Sequence, residues 1–523
     1  MSRWSALGLL LAIAGALALR VPNLDRRPLH NDEAVNAIKV SELWLEGRYA
    51  YDPDEYHGPA LHYATLPFIW LIGARSSDDL DDGRLRLAPV AFGVGLILLL
   101  PLLSDGLGRK AVLWAAMFIA VSPAMVFYSR YFIHEMLLIF FTALTLGAGW
   151  RYTRTPSARW ALMVGAGLGL MFATKETFVI TLAAMGFAGI VTAWWSMPGG
   201  GSVRSLLSSC NLKHAGLAVG AAFTIWLVFF SSFFTNFASL ADSVRTYLPW
   251  LKRAGGHSPH IHPWSFYLER LAWFHPIKGP VSSEGLILAL ATVGVVVSLG
   301  WKKCPLHRFI ALYTLCLTAA YCAISYKTPW CLLNFYLGML LLAGIGAAAL
   351  VEILRARALK VVLVAMILSL SLQLTWQSWR GSFVHSTDRR NPYVYAQTVP
   401  DLLNLVRRAE GLARVAPAGY DTIVKVISPQ SDYWPLPWYL RRFKQLGWYD
   451  KLPEDPFAPI VVVSSKLDAK LDEKSDKKWI MAGLSQLRPG VALELYVELE
   501  LWKKYVAALP RDRDEEEEDK EQE

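Results

Sequence analysis

From Leu7 to Leu374 the chain alternates long apolar blocks with short polar stretches; beyond that point the blocks stop and a mixed pattern runs to Glu523. A helix needs about 20 mostly apolar residues to cross a bilayer. The blocks predict spanning helices near 4–20, 86–104, 110–127, 132–150, 159–173, 177–195, 214–234, 284–300, 308–325, 331–350 and 358–376, about eleven in all. One further block, Leu61 to Ala74, is short and contains Pro67. If it crossed, every later loop would change sides, so the basic residues arbitrate. Without it, the loops sharing a side with the N-terminus hold Arg109 and Lys110, Arg151, Arg154 and Arg159, Arg204 and Lys213, Lys302, Lys303 and Arg308, and Arg355, Arg357 and Lys360. Only Asp105 and Glu352 stand against them. Lys and Arg concentrate in cytoplasmic loops, so 61–74 is predicted as an interfacial or re-entrant helix and residues 381–523 as lying outside the cytoplasm. Ala16-Leu17-Ala18 also fits a signal-peptidase site, and cleavage there leaves the downstream topology unchanged.

The mixed part reads as a small α/β domain. Val399 to Val415 has helical periodicity, with Asp401 near its start. Val424 to Ile427 and Ile460 to Val463 are β-branched runs of buried-strand type, and Leu493 to Leu499 is strand-like. Trp434 to Phe443 begins a helix after its prolines. No glycine-rich phosphate loop is present, which argues against nucleotide binding, and Arg511 to Glu518 is a charge run predicted to be a disordered tail. The fold class is therefore a polytopic α-helical membrane protein with a C-terminal small α/β extracytoplasmic domain. Its parts are a membrane domain over 1–380 (outer loops about 21–85 and 235–283), the α/β domain over 381–510 and the tail over 511–523. A plasma-membrane location goes with this topology.

Composition agrees: 54% of the 523 residues are hydrophobic and 18% charged, too apolar a balance for a soluble chain. The net charge of +9 has to be read loop by loop in a membrane chain and gives no reason to expect nucleic acid. None of the five cysteines (Cys210, Cys304, Cys316, Cys322 and Cys331) lies in the α/β part, so no disulfide framework is expected there.

With this orientation the ionisable motifs gather on the outer face. The first outer loop carries His30-Asn31-Asp32-Glu33-Ala34 and then His57-Gly58-Pro59-Ala60-Leu61-His62-Tyr63. Tyr128-Ser129-Arg130 closes the third span, and Glu135 opens the fourth. Thr174-Lys175-Glu176 follows the fifth, and Tyr326-Lys327-Thr328-Pro329-Trp330 follows the ninth. Charges at span ends are costly unless they serve a site or reach the interface. Carboxylates can take a proton from an acceptor hydroxyl or hold a divalent metal, and Arg and Lys can hold a phosphate. Sugar transfer from a polyprenyl phosphate needs both. Blander roles stand beside these. Asp32 and Glu33 suit the first turn of a helix, Arg130 and Lys175 suit snorkelling to headgroups, Glu135 suits an ion pair with Arg130, and Lys327 with Trp330 suits an interface anchor. In the long outer loop, His257, His260 and His262 alternate but lack a nearby carboxylate or Cys partner, which makes zinc the lesser reading. Trp250, Trp264 and Trp273 with Lys252 and Arg253 suit a lid at the membrane surface.

At His30-Asn31-Asp32-Glu33-Ala34 the chain resembles glycosyltransferases of the GT-C superfamily, whose first outer loop carries an acidic catalytic motif. It is similar to the branch of protein O-mannosyltransferases and aminoarabinose transferases. His57 to Tyr63 fills the place of that branch's Pro-containing segment before a membrane-skimming helix, and Ser129-Arg130 with Glu135 matches a further motif in which Asp is more usual at the second acid. More narrowly, the Asp-Glu-Ala loop, Thr174-Lys175-Glu176-Thr177 and Trp434-Pro435-Leu436-Pro437-Trp438-Tyr439-Leu440 resemble prokaryotic flippase-activity-associated proteins of archaeal-type glycosylation. The resemblance implies a GT-C-like fold and inverting transfer from a polyprenyl-phosphate-linked sugar donor to a protein, glycan or lipid acceptor. Asp32 is then the general base, and Glu33 and Glu135 shape the site. Arg130 and Lys175 lie on the phosphate, with His30, His57, Lys327 and Trp330 also on substrate. Superfamily members differ over metal. The lack of an Asp-x-Asp motif in the second outer loop leaves no firm cofactor and no assigned metal ligand, with a divalent ion still open. The rival readings are a flippase or transporter, and a non-catalytic assembly factor for lipid-linked glycans.

Overall fold

The computed structural model describes residues 3–54, 57–196, 211–255, 260–276, 278–279, 281–301 and 304–509. The expectations for Arg204, Cys210, His257, Lys302, Lys303 and the tail over 511–523, and the side chain of Arg253, fall outside the described residues. The chain divides by packing into two units, residues 1–26 with 39–395 and residues 27–38 with 396–523.

In the first unit every predicted apolar block is helical. In chain order the helices are α1 (Arg3–Arg20), α2 (Asn31–Glu46, which begins in the second unit), α3 (Ala60–Leu71), α4 (Leu87–Leu99), α5 (Arg109–Val121), α6 (Pro123–Ser129), α7 (Glu135–Arg154), α8 (Ala158–Phe172), α9 (Phe178–Ser196) and α10 (Leu212–Phe230). The long outer segment folds into α11 (Ala238–Arg245), α12 (Tyr247–Gly255) and α13 (Phe266–Ala272). Then come α14 (Gly285–Val296), α15 (Pro305–Ala323), α16 (Leu333–Ile353) and α17 (Arg357–Trp379). Among the described residues seven helical stretches are long and apolar enough to cross a membrane, eight if α5 and α6 count as one span bent by 59°, with shorter apolar helices at Ala60–Leu71, Ala158–Phe172 and Gly285–Gly300. This is a multi-pass membrane protein. Its helices approach through small residues, as expected where lipid removes the hydrophobic drive between them. At the crossing of α14 and α16, a Cβ on Gly294 or Gly346 would meet the facing carbonyl of Leu342 or Leu290 at 2.0 Å.

The bend between α5 and α6 has a local cause. Pro123 has no N–H for the Ile119 carbonyl, which the ladder would otherwise pair. Arg20 supplies the missing donor: its Nη2 gives to Ile119 O at 2.7 Å, its Nη1 to Ala120 O at 2.8 Å and its Nε to Ser129 Oγ at 3.0 Å. The Ser378 hydroxyl gives to Val121 O at 2.6 Å. Below the break, Ser122 Oγ caps the Met125 N–H. Glu284 accepts from the Ala124 N–H at 2.8 Å and from Ser122 Oγ at 2.7 Å.

The second unit holds a five-stranded sheet, β1 (Val424–Ile427), β2 (Leu446–Tyr449), β3 (Ile460–Ser464), β4 (Trp479–Arg488) and β5 (Val491–Glu498), in the order β2-β1-β3-β5-β4. The β2, β1 and β3 strands are parallel, while β5 runs antiparallel to β3 and β4. Central β3 is buried on both faces. Ile460 and Val462 pack with Leu402, Leu405 and Leu493, and Val461 and Val463 pack with Ala469, Leu471 and Tyr496. That is why it reads as a continuous apolar run without alternation. The predicted helix appears as α18 (Leu402–Val415). The one expected after Trp434 is a single turn, Leu436–Tyr439, and a last helix, α19 (Leu499–Ala507), follows the sheet. Strands β2 and β4 escaped the sequence reading. The β2 residues are all only half-buried, and β4 alternates incompletely because its pairing with β5 shifts register at Met481/Gly483 and Gln486/Arg488.

If Arg20 repairs the α5–α6 break, Arg20→Met strands two buried carbonyls. Unsatisfied buried groups cost about 1–3 kcal/mol each, so SDS titration in mixed micelles should show a loss of about 3 kcal/mol. A neutral outcome would mean the break is held by other contacts.

Candidate active site

Of the predicted site residues, His30, Asp32 and Glu33 belong to the second unit, and His57, Arg130, Glu135, Lys175, Lys327 and Trp330 to the first. In the second unit, α2 starts at Asn31, so Asp32 and Glu33 occupy its first turn. Their environments divide their work. Glu33 is fully buried and committed: Arg27 Nη2 donates to it at 3.2 and 3.3 Å, and the His30 N–H donates at 3.0 Å. The Asp32 side chain keeps 43% exposure, with one carboxylate oxygen 3.7 Å from His30 Nδ1. The Asp32 N–H donates to His30 Nδ1 at 3.1 Å, which fits a neutral ring protonated on Nε2. Burial lowers the His30 pKa from 6.5, against the opposing pull of Asp32 and Glu33. The hydroxyl oxygen of Tyr439, in the Trp434–Leu440 motif, accepts from the Leu29 N–H at 2.7 Å. Two of the motifs that carry the resemblance therefore meet.

In the first unit the predicted pairing of Glu135 with Arg130 does not form. Glu135, in the first turn of α7, pairs instead with Lys175 from the connection between α8 and α9, their side chains 2% and 6% exposed. The Arg130 guanidinium caps the end of α1, giving to the carbonyls of Arg20 and Pro22 at 2.7 Å and of Asn23 at 3.0 Å, over the Phe383 ring. Both cations expected on phosphate are thus engaged within the protein. Beside Lys175, Glu176 accepts from or gives to His57 through a 2.8 Å contact between Oε2 and Nδ1. Burial works to raise the Glu176 pKa, but His57 holds it below the usual value. Behind His57 stand His134, its ring 5.2 Å away and its Nε2 3.0 Å from Gly58 O, and buried His62, 5.6 Å from His134. Gly58 makes this arrangement possible, since a Cβ there would lie 2.3 Å from Ala173 O. An apolar cavity of about 460 Å³ adjoins α3, lined by Tyr63, Leu66, Phe141, Phe229 and Ser232 among others.

A second polar cluster forms where residues 260–262 run along 325–327: the His262 N–H gives to Ser325 O and the Lys327 N–H to His260 O. His260 Nδ1 and His262 Nε2 share the Tyr395 hydroxyl, at 2.7 and 3.1 Å. Lys327 is buried, with Nζ on the carbonyls of His262 and Ile324. Arg270 of α13 lies 3.5 Å from the centre of the Phe266 ring, on which His262 also stacks, and its Nε is buried without a partner. Burial lowers the pKa of both cations, and burial with Arg270, His260 and Lys327 lowers that of His262. Among the described residues neither Arg270 nor Lys327 makes an ion pair. Trp330 and Tyr395 stand ring to ring at 6.0 Å. Sequence reading missed Arg270 and Tyr395, which sit in no motif; their only signal was a basic residue and a tyrosine in segments expected to face the aqueous side. Among the described residues no three His, Cys, Asp or Glu side chains are grouped to hold a metal ion.

A family model described as dolichyl-phosphate-mannose-protein mannosyltransferase matches residues 68–234. No curated protein matches by sequence. Among solved structures, the fold is similar to ArnT from Cupriavidus metallidurans, solved in the apo state and bound to undecaprenyl phosphate. The two are 15% identical over 97% of this chain and 99% of that one, with a TM-score of 0.63. It is also similar to the Archaeoglobus fulgidus oligosaccharyltransferase, solved in complex with Zn and sulfate, at 14% identity over 95% of this chain and 76% of that one, with a TM-score of 0.55. These likenesses bear out the GT-C resemblance in fold, and the family match over residues 68–234 points the same way for that part of the chain.

The Glu135–Lys175 pair yields a direct test. Lys175→Met leaves a buried carboxylate alone and should cost about 3–5 kcal/mol. Adding Glu135→Leu should restore most of that stability in the same SDS titration. A double variant no better than the single would show that the pair is not coupled.

Proposed function

We propose that this protein transfers a sugar, with inversion, from a polyprenyl-phosphate donor to a protein, glycan or lipid acceptor at the extracytoplasmic face of the plasma membrane. The α/β unit lies on that face in this reading, which rests on the basic loops of the opposite side. Asp32 is the general base. Among the described residues its half-exposed carboxylate pairs with no Lys or Arg, whereas Glu33 beside it is bound to Arg27. Glu135 supports the site through Lys175.

The observation that carries the reading is the half-buried Arg270 and the buried Lys327 near the Tyr395 hydroxyl, neither of which makes an ion pair among the described residues. Charge held there without a counter-ion is compensated by a ligand anion, and the donor phosphate is that anion. Arg270 offers a planar fork and Lys327 a point charge. As the bond from sugar C1 to phosphate oxygen breaks, its electron pair goes to the phosphate, and both cations stabilise the growing charge. Trp330 supplies an aromatic face for the sugar, and the apolar cavity beside α3 takes isoprene units of the carrier. The phosphate role passes in this reading from Arg130 and Lys175 to Arg270 and Lys327, because the first two are already satisfied.

In proteoliposomes with radiolabelled polyprenyl-phosphate sugars and membrane acceptors, Asp32→Asn should lower transfer about 100-fold or more, as for loss of a general base, while donor binding persists. Arg270→Met and Lys327→Met should weaken binding of undecaprenyl phosphate. Equal transfer by wild type and Asp32→Asn would remove Asp32 as base. Movement of lipid-linked sugar across the bilayer without transfer would replace the transferase by a flippase.

A further inference from the structure

The acid motif packs with the α/β unit and not with the membrane helices: residues 27–38 fall in one compact unit with 396–523. The loop that leads into α2 makes the connection. The Leu29 side chain is fully buried, and its N–H gives to the Tyr439 hydroxyl at 2.7 Å. Buried Gln397 reaches the Pro28 carbonyl with Nε2 at 3.5 Å. The residue after Leu29 is His30, whose N–H goes to Glu33 and whose Nδ1 takes the Asp32 N–H at 3.1 Å. Tyr439 therefore holds the residue next to the one on which the first turn of α2 is built.

The phenol is itself held from behind. Tyr439 ends the single turn Leu436–Tyr439, and Leu436 and Leu440 are fully buried in one core with Leu405 of α18 and Val424 of β1. The Tyr439 ring packs against that core, and its hydroxyl reaches past it to the Leu29 N–H. Upstream, the Trp434 carbonyl accepts from Arg488 Nη1 at 3.2 Å, at the end of β4, and the same guanidinium pairs with Asp432. Arg488 also acts by charge. Burial lowers the His30 pKa from 6.5, and Arg27 and Arg488 lower it further, against the pull of Asp32 and Glu33. A neutral ring keeps Nδ1 as an acceptor for the Asp32 N–H.

We propose that Tyr439 is a positioning residue for Asp32: through the Leu29 N–H it fixes the loop that sets the start of α2, and with it the direction in which the Asp32 carboxylate meets the acceptor hydroxyl. This role rests on the transfer reading with Asp32 as base, and it gives the α/β unit a working part in transfer. Tyr439 acts through the loop and takes no proton. A misplacement of about 1 Å at a reacting group costs about 100-fold in rate, so a loosened loop is felt in turnover before it is felt in binding.

The test is a double-variant cycle in the full chain. Tyr439→Phe removes one oxygen and keeps the ring. In the proteoliposome assay its kcat should fall about 10- to 100-fold, with KM for the radiolabelled donor and binding of undecaprenyl phosphate unchanged. Val406→Ala, in α18, loosens the same core without touching the loop. It should keep wild-type kcat even where SDS titration shows it no more stable than Tyr439→Phe. In an Asp32→Asn background no base is left to place, so adding Tyr439→Phe should lower the residual transfer by no more than about twofold, because groups that act as a unit are non-additive. Wild-type kcat in Tyr439→Phe, an equal fall in Val406→Ala, or losses that multiply in the double variant each overturn the proposal while sugar transfer stands. Equal transfer by wild type and Asp32→Asn overturns the base assignment and this proposal with it. A wild type that transfers no sugar from any donor overturns the transfer reading as well.

Discussion

The break at Ser122–Pro123 is the constraint on which the membrane unit turns. In hydrocarbon a helix may leave its own ladder only where something else satisfies the freed groups. Here each one has a partner. The Ile119 and Ala120 carbonyls take Arg20, Val121 takes Ser378, and the Ala124 N–H goes to Glu284. Those partners come from α1, α17 and the entry to α14, so the bend cannot relax without loosening three other helices. Glu284 extends the effect, since it also accepts from the Tyr336 and Tyr393 hydroxyls. The Tyr393 carbonyl in turn receives the Tyr128 hydroxyl at 3.1 Å. Tyr393 lies two residues from Tyr395, so the repair of one proline break also fixes the strand of chain that meets His260 and His262.

The same accounting separates structural from available charge. Arg20, Arg130, Glu284, Glu135 and Lys175 are ionisable and buried, and each is matched by carbonyls, hydroxyls or an opposite charge. A fully matched group has little left to offer a substrate. Arg270, Lys327 and His57 differ. Among the described residues Arg270 has an unpartnered Nε, Lys327 holds only carbonyls, and the His57 side chain is 44% exposed. Counting charges at span ends does not make this distinction. Counting what each has already spent does.

That difference explains how much of the molecule was legible in the sequence. The helices were, because apolar length is a one-dimensional property: each block predicted from Leu7 to Leu374 is helical. Orientation signals and the acid motif were legible for the same reason. Pairing was not. Glu135 stands five positions from Arg130 and forty from Lys175, and the sequence favoured the near partner; the α6 turn aims Arg130 at the end of α1 instead. Arg270 and Tyr395 were missed because their significance comes from meeting His262, which sits in a segment read as a loop. In the second unit, β2 and β4 were missed because neither has the clean alternation or unbroken burial that marks a strand.

The acid pair shows the limit and the value of motif reading most closely. Asp32 and Glu33 are adjacent in sequence and chemically alike, yet the first turn of α2 points them to different fates. A helix advances about 100° per residue, so two neighbours cannot share one environment. Glu33 turns inward, where Arg27 and the His30 N–H bind it. Asp32 keeps access to solvent beside a neutral His30 that accepts its N–H. A carboxylate already bound to a guanidinium is a poor base, because taking a proton would break the pair. The one beside it has no such cost. The motif's two acids are then not a redundant pair. One holds the turn in place, and the other, left exposed beside it, is the one proposed as base.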